Sequence, residues 1–318
     1  MLPNILTNGL KRAASLPASM AFTVTNTKPV FERLERRHEQ AMTRAAIQHN
    51  LSLLEAQIVC GLEQDGVFVT SLEALGFGGD TILSVGQDLA TKMQRRVDDM
   101  GGAYPVMIEN TPADMLDHPE IFRWGLNDSI MRIAESYLHQ KIAYDGPLLF
   151  HTPADGKETG TRQWHKDRED RRMIKLALYL NDVDEDGGPF ELLNKESRKK
   201  RRPDNFRPLF TEELRRSMAG RATPRNNVVC TGPTGTLVFA DAARFFHRGR
   251  PAMKRARSAI FWSYFSRLPR HPYFWARSRL SRSQLLALTD GLGEEKRKAA
   301  LWRDHLPLAA RIIPPSLM

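Results

Sequence analysis

The chain has 318 residues, of which 41% are hydrophobic and 26% are charged, and these proportions indicate a folded globular protein rather than a disordered or fibrous one. Lysine and arginine outnumber aspartate and glutamate by 47 to 37, which favours anionic partners such as nucleic acid, phosphorylated compounds, acyl carriers or acidic lipids. Cys60 and Cys230 lack the CxxC spacing of a zinc or redox site, so a reducing, cytoplasmic location is predicted. No apolar run reaches the roughly 18 residues that a membrane span needs.

The N-terminal segment is predicted to be a flexible arm over residues 1–30, and residues 31–318 are predicted to form a single domain. The first 31 residues contain no aspartate or glutamate, but they do contain Lys11, Arg12 and Lys28. Chain termini are commonly poorly ordered, which favours the flexible arm. The weaker alternative is an organelle-targeting segment, which such a composition also resembles.

The region 31–145 is predicted to be helical. Hydrophobic residues recur at three- and four-residue spacing up to residue 62, as on one face of a helix. They are Leu51, Leu54, Ile58 and Leu62. A turn and a short strand, VFVT, follow. Further helices are predicted over 80–100 and 117–140, so this region should form a helical layer.

The region 146–267 has a different character, because short β-type runs follow one another. They are PLLFHT, RQWHKD, MIKLALYLND, PFELLN, NVVCTG, GTLVFAD and SAIFWSYFS. Turn signals such as DEDGGP and GPTG separate them, and seven or eight short strands of this kind predict an antiparallel jelly roll. Residues 268–318 return to helical patterns. The predicted fold is therefore α+β with a mainly β, cupin-like core.

The stretch QWHKDRED at 163–170 places a histidine and a carboxylate two residues apart. Residues two apart in a strand point to the same face, so His165 and Asp167 can hold one metal ion together. His118 and Glu120 have the same spacing, but they lie at a predicted helix start, where the acid suits the helix N-terminus. His165 and Asp167 are therefore the preferred pair.

A third metal ligand is expected from another strand that faces the same cavity. Two histidines and one carboxylate on one face of the metal, with three positions open, are typical of non-haem Fe(II) oxygenases. His247 is the best candidate, because it follows the strand GTLVFAD after a short connection. The predicted iron ligands are thus His165, Asp167 and His247.

An arginine near the last predicted strand is the candidate for binding an anionic cosubstrate. Arg257 opens the run RSAIFWSYF, and alternation places it on one face with Ala259, Phe261 and Ser263. A buried arginine among small and apolar neighbours needs an anion, and a guanidinium binds a carboxylate through two parallel hydrogen bonds. Arg255 lies on the same face and is the second candidate.

The order of these motifs resembles the phytanoyl-CoA dioxygenase family. The resemblance covers roughly residues 55–267 and rests on WHKD, LALYLNDVDEDGGPFELL, GTLVFADAARFFHRG and the arginine that follows. Members of that family are Fe(II)/2-oxoglutarate-dependent oxygenases with a double-stranded β-helix core. The resemblance implies that His165, Asp167 and His247 bind Fe(II), and that Arg257 binds the far carboxylate of 2-oxoglutarate. It also implies that O2 is a cosubstrate, that ascorbate stimulates the reaction, and that a C–H bond is oxidised, for instance by hydroxylation.

Three departures from the family pattern indicate a substrate other than phytanoyl-CoA. Lys166 stands where the family often has glutamine, and NKESRKKRRPD replaces the usual proline-glycine-serine-histidine turn. The interval between His247 and Arg257 is one residue shorter than in the commonest form. None of these changes removes a ligand. We therefore expect a small-molecule substrate that is anionic or bound to a carrier.

The segment 194–210 contains a run of positive charge at Lys199, Lys200, Arg201 and Arg202. Because long loops are usually functional or disordered, this segment is predicted either to steer an anionic substrate towards the iron or to be a disordered loop. The net charge leaves a nucleic-acid-binding protein as an alternative, although the run lacks the interleaved aromatic residues of a base-stacking surface. A catalytically inactive jelly-roll binding module is a further alternative.

Overall fold

Helices dominate the described residues up to residue 138. The structure is a computed structural model, and it describes residues 16–44, 47–76, 79–101, 108–194, 227–274 and 279–314. After a first helix over residues 16–25, the helices of this region are α1 (Lys28–Arg44), α2 (Leu53–Gln64), α3 (Leu72–Leu75), α4 (Gly79–Asp99), α5 (Pro112–Asp117), α6 (Pro119–Trp124) and α7 (Asp128–Leu138). The helix predicted between 31 and 62 is thus two helices, α1 and α2.

Local sequence explains where two of these helices begin. The Ser52 side chain accepts a hydrogen bond from the backbone N–H of Glu55, and the Glu55 carboxylate accepts one from the N–H of Ser52. Thr111 and Asp114 form the same reciprocal pair at the start of α5. Such capping boxes satisfy N–H groups that a helix start leaves without partners.

The helix predicted over 117–140 is interrupted at Gly125, between α6 and α7. A Cβ atom at Gly125 would lie 2.5 Å from the ring of Trp262 and 2.5 Å from the hydroxyl of Tyr144. The Trp262 Nε1–H donates to the carbonyl oxygen of Ile121 at 3.0 Å. The sheet therefore approaches the backbone too closely for any larger residue, and it binds a carbonyl oxygen of α6 directly.

The described residues contain nine strands, which form two antiparallel sheets. The large sheet has the order β1-β7-β4-β9-β3-β2, and the small sheet has the order β6-β5-β8. The strands are β1 (Val67–Ser71), β2 (Ile108–Glu109), β3 (Ile142–Thr152), β4 (Ile174–Tyr179), β5 (Phe190–Leu193), β6 (Asn227–Cys230), β7 (Thr236–Asp241), β8 (His247–Gly249) and β9 (Arg257–Ser266). The predicted fold class, an α+β chain with an antiparallel jelly-roll core and flanking helices, is confirmed.

The two faces of the large sheet pack against different layers. Leu176, Ile260 and Trp262 point outwards and join the core that the helices cover. Tyr179 and Phe261 point inwards and join a second core, which includes residues of the small sheet. Alternation along each strand produces this division, because successive side chains lie on opposite faces.

The strand predicted for RQWHKD at 162–167 does not form. A short 3-10 turn occupies Gly160–Arg162, and His165 then makes an isolated antiparallel bridge with His247. The bridge extends the small sheet by one residue pair beyond β8. The segment after it turns away, so the prediction of a continuous strand was wrong.

Both ends of the described chain are helical. Residues 16–25 form a helix, in which Ala18 and Phe22 pack against Tyr273 and Phe274. Residues 16–25 therefore contact the rest of the fold, and the flexible arm expected over 1–30 stays a prediction. Beyond β9 lie α8 (Arg282–Leu288), α9 (Glu294–Ala300) and α10 (Leu308–Arg311). None of the described helices is long and apolar enough to cross a membrane.

Candidate metal centre

The three predicted metal ligands lie together between the two sheets. His165 sits in the isolated bridge, Asp167 follows two residues later, and His247 is the first residue of β8. One ligand atom from each residue lies within 4.8 Å of the other two. Asp167 Oδ1 is 3.9 Å from His165 Nε2, and Asp167 Oδ2 is 3.9 Å from His247 Nε2. These three residues are called the triad below.

Backbone hydrogen bonds hold the triad in place. His165 and His247 exchange both of their backbone hydrogen bonds, with N–O distances of 3.0 and 2.9 Å. The N–H of Asp167 donates to the carbonyl oxygen of Ala242 at 2.8 Å. Segments that are far apart in sequence are thereby joined at the ligands themselves, and the grouping does not depend on a strand at 162–167.

Both histidines direct Nε2 towards Asp167. Nδ1 of His165 lies 2.8 Å from the carbonyl oxygen of Gln163, and Nδ1 of His247 lies 3.3 Å from that of Phe245. A carbonyl oxygen only accepts hydrogen bonds, so Nδ1 carries the proton and Nε2 keeps its lone pair for a metal. Burial lowers the pKa of His247 well below its ordinary value, and the neighbouring His165 and Lys175 lower it further. His247 is therefore neutral, as a ligand must be.

A buried aspartate organises the turn that precedes His247. The Asp241 carboxylate accepts hydrogen bonds from the backbone N–H groups of Ala243 and Arg244 at 3.0 and 2.9 Å, and from the hydroxyl of Tyr137. Burial raises the pKa of Asp241, while the hydrogen bonds from Tyr137 and Arg244 oppose that rise. Sequence reasoning missed this residue, although an aspartate directly after a strand is a recognisable turn signal.

Arg257 is a buried cation without a carboxylate partner. It is 4% exposed, its Nη1 donates to the carbonyl oxygen of Gly188, and its Nε has no hydrogen-bond partner. Within the described ranges, no aspartate or glutamate forms a salt bridge with it. Burial lowers the pKa of Arg257, an effect that Tyr179 opposes and Arg162 reinforces. A buried guanidinium in this state calls for an anionic ligand.

One cavity connects the triad with Arg257. Its lining includes His165, His247, Lys175, Arg257, Phe261 and Ser263. Arg257, Phe261 and Ser263 share the inward face of β9, as alternation predicted. The apolar rings of Phe190 and Phe261 form part of the wall, so the cavity combines cationic groups with an apolar surface. This combination suits a small anionic ligand.

Lys175 was not identified from the sequence as a residue of the site. Its Nζ lies 2.6 Å from Asp167 Oδ2 and 3.4 Å from His247 Nε2. The side chain is 8% exposed and points inwards from β4. A usable signal was present, because Lys175 interrupts the apolar run MIKLALYL. A lysine inside such a run is unusual unless it has a partner.

The remaining sequence candidates are placed as follows. Arg255 precedes β9, is 64% exposed and pairs with Asp184, so the structure does not bring it to the cavity. His118 pairs with Glu120 at 3.3 Å on a partly exposed helix start. Among the described residues, the triad is the one group of three or more potential ligands close enough to hold a metal. The basic run Lys199, Lys200, Arg201 and Arg202 lies outside the described residues.

The donor set of the triad fits a divalent iron ion. Two imidazole nitrogens and one carboxylate oxygen converge from His165, His247 and Asp167, without any thiolate. This is the combination that non-haem Fe(II) oxygenases use, with further coordination positions left for ligands. A structural zinc site would use all four positions for protein donors.

Comparison with known proteins finds similarity at the level of solved structures only. No family model matches the chain, and no curated protein sequence matches it. The structure of EctD from S. alaskensis with bound Fe has 14% sequence identity and a TM-score of 0.47, over 70% of this chain and 82% of that one. HygX from Streptomyces hygroscopicus, with nickel and 2-oxoglutarate bound, has 15% identity and a TM-score of 0.45, over 69% and 88%. The epimerase SnoN, in complex with Fe3+, alpha ketoglutarate and nogalamycin RO, has 15% identity and a TM-score of 0.46, over 76% and 91%.

Proposed function

We propose that this chain is a non-haem, Fe(II)- and 2-oxoglutarate-dependent oxygenase that oxidises a C–H bond of a small molecule. The observation that carries this proposal is the cavity lined by both triad histidines and by the buried Arg257, which has no carboxylate partner among the described residues. Metal-binding histidines and a carboxylate-binding arginine that line one cavity match a ligand that reaches both. 2-Oxoglutarate has the two carboxylates and the keto oxygen that such bridging requires.

Each residue has a defined part in this proposal. His165, Asp167 and His247 would hold the iron, and Arg257 would bind the far carboxylate of 2-oxoglutarate. The apolar rings of the cavity wall would exclude water from the reacting groups. The bound iron and 2-oxoglutarate supply the activation of O2, and the protein supplies positioning. We expect ascorbate to stimulate turnover by keeping the iron reduced.

The finer aspects of the proposal follow from the sequence. The resemblance to the phytanoyl-CoA dioxygenase family supports hydroxylation as the outcome, and Asp167 supports it further, because it provides the carboxylate ligand that related halogenases lack. The changes around Lys166 and 194–210 support a different substrate, anionic or bound to a carrier. The single domain over 31–318 stays a prediction. So does the steering of an anionic substrate by the basic run Lys199, Lys200, Arg201 and Arg202.

The proposal is tested by measuring succinate release from 2-oxoglutarate with Fe(II), O2 and ascorbate, across a panel of anionic and carrier-bound small molecules. We expect slow succinate formation without substrate and a marked increase with the correct one. His247→Ala, folded to the same extent, should bind little iron and release no succinate. Full iron occupancy in that variant would overturn the assignment.

The same preparation distinguishes the two alternatives. A nucleic-acid-binding protein would bind DNA or RNA with an affinity that falls steeply as salt rises. An inactive binding module would bind 2-oxoglutarate or another anion in the cavity without releasing succinate. Salt-dependent nucleic-acid binding combined with no succinate release would favour the first alternative over the oxygenase.

A further inference from the structure

Lys175 occupies the position between two of the candidate metal ligands. Its ammonium group contacts Asp167 Oδ2 at 2.6 Å and His247 Nε2 at 3.4 Å. These are atoms that would donate electron pairs to a metal ion. The ammonium group and a metal ion are both cations, so they compete for the same carboxylate oxygen and the same imidazole nitrogen. Lys175 must therefore leave Nε2 of His247 when a metal binds that nitrogen, and it must also release Asp167 Oδ2 if the metal takes that oxygen.

The released ammonium group has space within the same cavity. Lys175 lies opposite Ser263 in the register between β4 and β9, and both residues line the cavity. The flexible four-carbon stem of a lysine allows its ammonium group to move several ångströms without any change in the backbone. Lys175 would thus move away from Asp167 while remaining next to the triad.

The charges in the cavity then require an anion. Lys175 and Arg257 are two buried cations, and a divalent metal would add two further positive charges. The described residues that line the cavity include no carboxylate. The triad itself contributes one negative charge, that of Asp167. Like charges in a buried site repel strongly, because the surroundings screen them poorly. A dianionic ligand removes this repulsion.

We propose that Lys175 couples the binding of the metal to the binding of the dicarboxylate. Lys175 is the counter-ion of Asp167 in the metal-free protein, and it pairs with an anionic group of the ligand at the triad end of the cavity once the metal is bound. This inference rests on the proposed function, because it takes the triad as the metal site and 2-oxoglutarate as the dicarboxylate. It makes Lys175 a positioning residue that regulates when the site is filled.

The test uses Co(II) as a spectroscopic stand-in for Fe(II), with O2 excluded, and measures the dissociation constant of Co(II) with and without 2-oxoglutarate. In Lys175→Met we expect Co(II) alone to bind at least about tenfold more tightly than in the wild type, because the competing cation is gone. The strengthening of Co(II) binding by 2-oxoglutarate should be at least about fivefold smaller than in the wild type. Neither readout depends on turnover.

Three further variants complete the test. Lys254→Met makes the same change at an exposed lysine that pairs with Asp186, and it should match the wild type in both measurements. Lys175→Gln keeps a polar end and should behave as Lys175→Met does. Agreement between the two variants shows that the effect comes from the lost charge and not from altered packing in one of them. His247→Ala should lose Co(II) binding, which shows that the signal comes from the triad.

The outcomes separate the two proposals. Equal or weaker Co(II) binding in Lys175→Met and Lys175→Gln, with binding still lost in His247→Ala, would overturn the coupling and leave the proposed function intact. Co(II) binding that is the same in His247→Ala and in the wild type would overturn both.

Discussion

Strands β4 and β9 present two faces that are buried to the same degree but differ in charge. The outward face carries Leu176, Ile260 and Trp262, which pack under the helices. The inward face carries Lys175 and Arg257, which line the cavity. Every residue of both strands is buried, so exposure to water does not distinguish the faces. The faces differ in charge because the outward face packs against the helices and the inward face lines the cavity.

The comparison shows how one sheet combines stability with a reactive site. Burying apolar side chains stabilises the fold, whereas burying a cation without a counter-ion costs free energy. The outward face satisfies its few polar atoms, since Trp262 and Tyr264 donate to backbone oxygens of the helical layer. On the inward face, no carboxylate of the described ranges pairs with Arg257. Substitutions on the two faces should therefore affect different measurements.

The largest expected effect is on the outward face. Trp262→Ala removes a fully buried ring and leaves the carbonyl oxygen of Ile121 without its donor, so the free energy of unfolding should fall by about 4 kcal/mol. Urea denaturation measures this. The folded fraction should bind metal as the wild type does, and a loss below about 1 kcal/mol would contradict the assignment of Trp262 to the stabilising core.

A smaller effect is expected on the inward face. Arg257→Lys keeps a positive charge but loses the paired hydrogen bonds of the guanidinium, so the affinity for 2-oxoglutarate should fall about 30-fold, or about 2 kcal/mol. The free energy of unfolding without ligand should change little. Arg255→Lys is the matched control, because Arg255 lies two residues earlier but is exposed. A larger effect from Arg255→Lys would reverse the assignment of the two arginines.

A third prediction concerns a buried charge that is fully paired, in the helical layer. Burial alone would raise the pKa of Asp114, but hydrogen bonds from Lys92 and from the backbone and hydroxyl of Thr111 lower it to about 2. A lowered pKa in the folded state adds stability above the unfolded pKa of about 4, and this stability is lost as the pH falls from about 4 towards 2.

Asp114→Asn should accordingly lower the free energy of unfolding by about 1–2 kcal/mol at pH 7, since part of the pairing is with the half-exposed Lys92 and is screened by water. The difference from the wild type should shrink as the pH approaches 2. A difference that is constant with pH, measured by denaturation across this range, would show that the charge of Asp114 contributes nothing. Affinity for 2-oxoglutarate should not change.

The smallest expected effects come from two glycine substitutions, each of which presses on one face of β9 from the neighbouring layer. Gly125→Ala places a Cβ atom against Trp262, and Gly249→Ala places one 2.6 Å from Nη2 of Arg257. Gly125→Ala should cost about 1–2 kcal/mol of unfolding free energy and leave ligand affinity unchanged. Gly249→Ala should cost less stability, because the end of an arginine can move, and should weaken 2-oxoglutarate binding by about fivefold. Equal effects of both variants on ligand affinity would refute the separation of the two faces.

Much of the site could be predicted from the sequence, because its residue types are uncommon in their settings. His165 and Asp167 stand two apart before an apolar run, and His247 and Arg257 follow in the order of the family that the sequence resembles. Arg257 was preferred to Arg255 because it opens the run RSAIFWSYF. Alternation assigns both to one face, but β9 begins at Arg257, so Arg255 falls in the preceding bend.

Other features escaped prediction because they depend on what packs nearby. The helix over 117–140 has no proline in its interior, yet it is broken at Gly125, where Asn127 caps the next helix and aromatic side chains of the sheet bind the backbone. The residues around His165 have the composition of a strand, yet they pair with β8 at a single bridge. Local propensity describes one segment at a time, so it does not register these partners.

By itself the sequence determined which side chains alternate along each strand, and therefore which residues share a face with Arg257. It also determined the kinds of donor that are available, since His165, Asp167 and His247 match an iron site in residue type and order. Only the tertiary structure decided that the two sheets bring His247 against Asp167, and that Lys175 points at both. The physical reason is that alternation depends on backbone geometry within a strand, whereas contact across a cavity depends on which strand the fold places opposite.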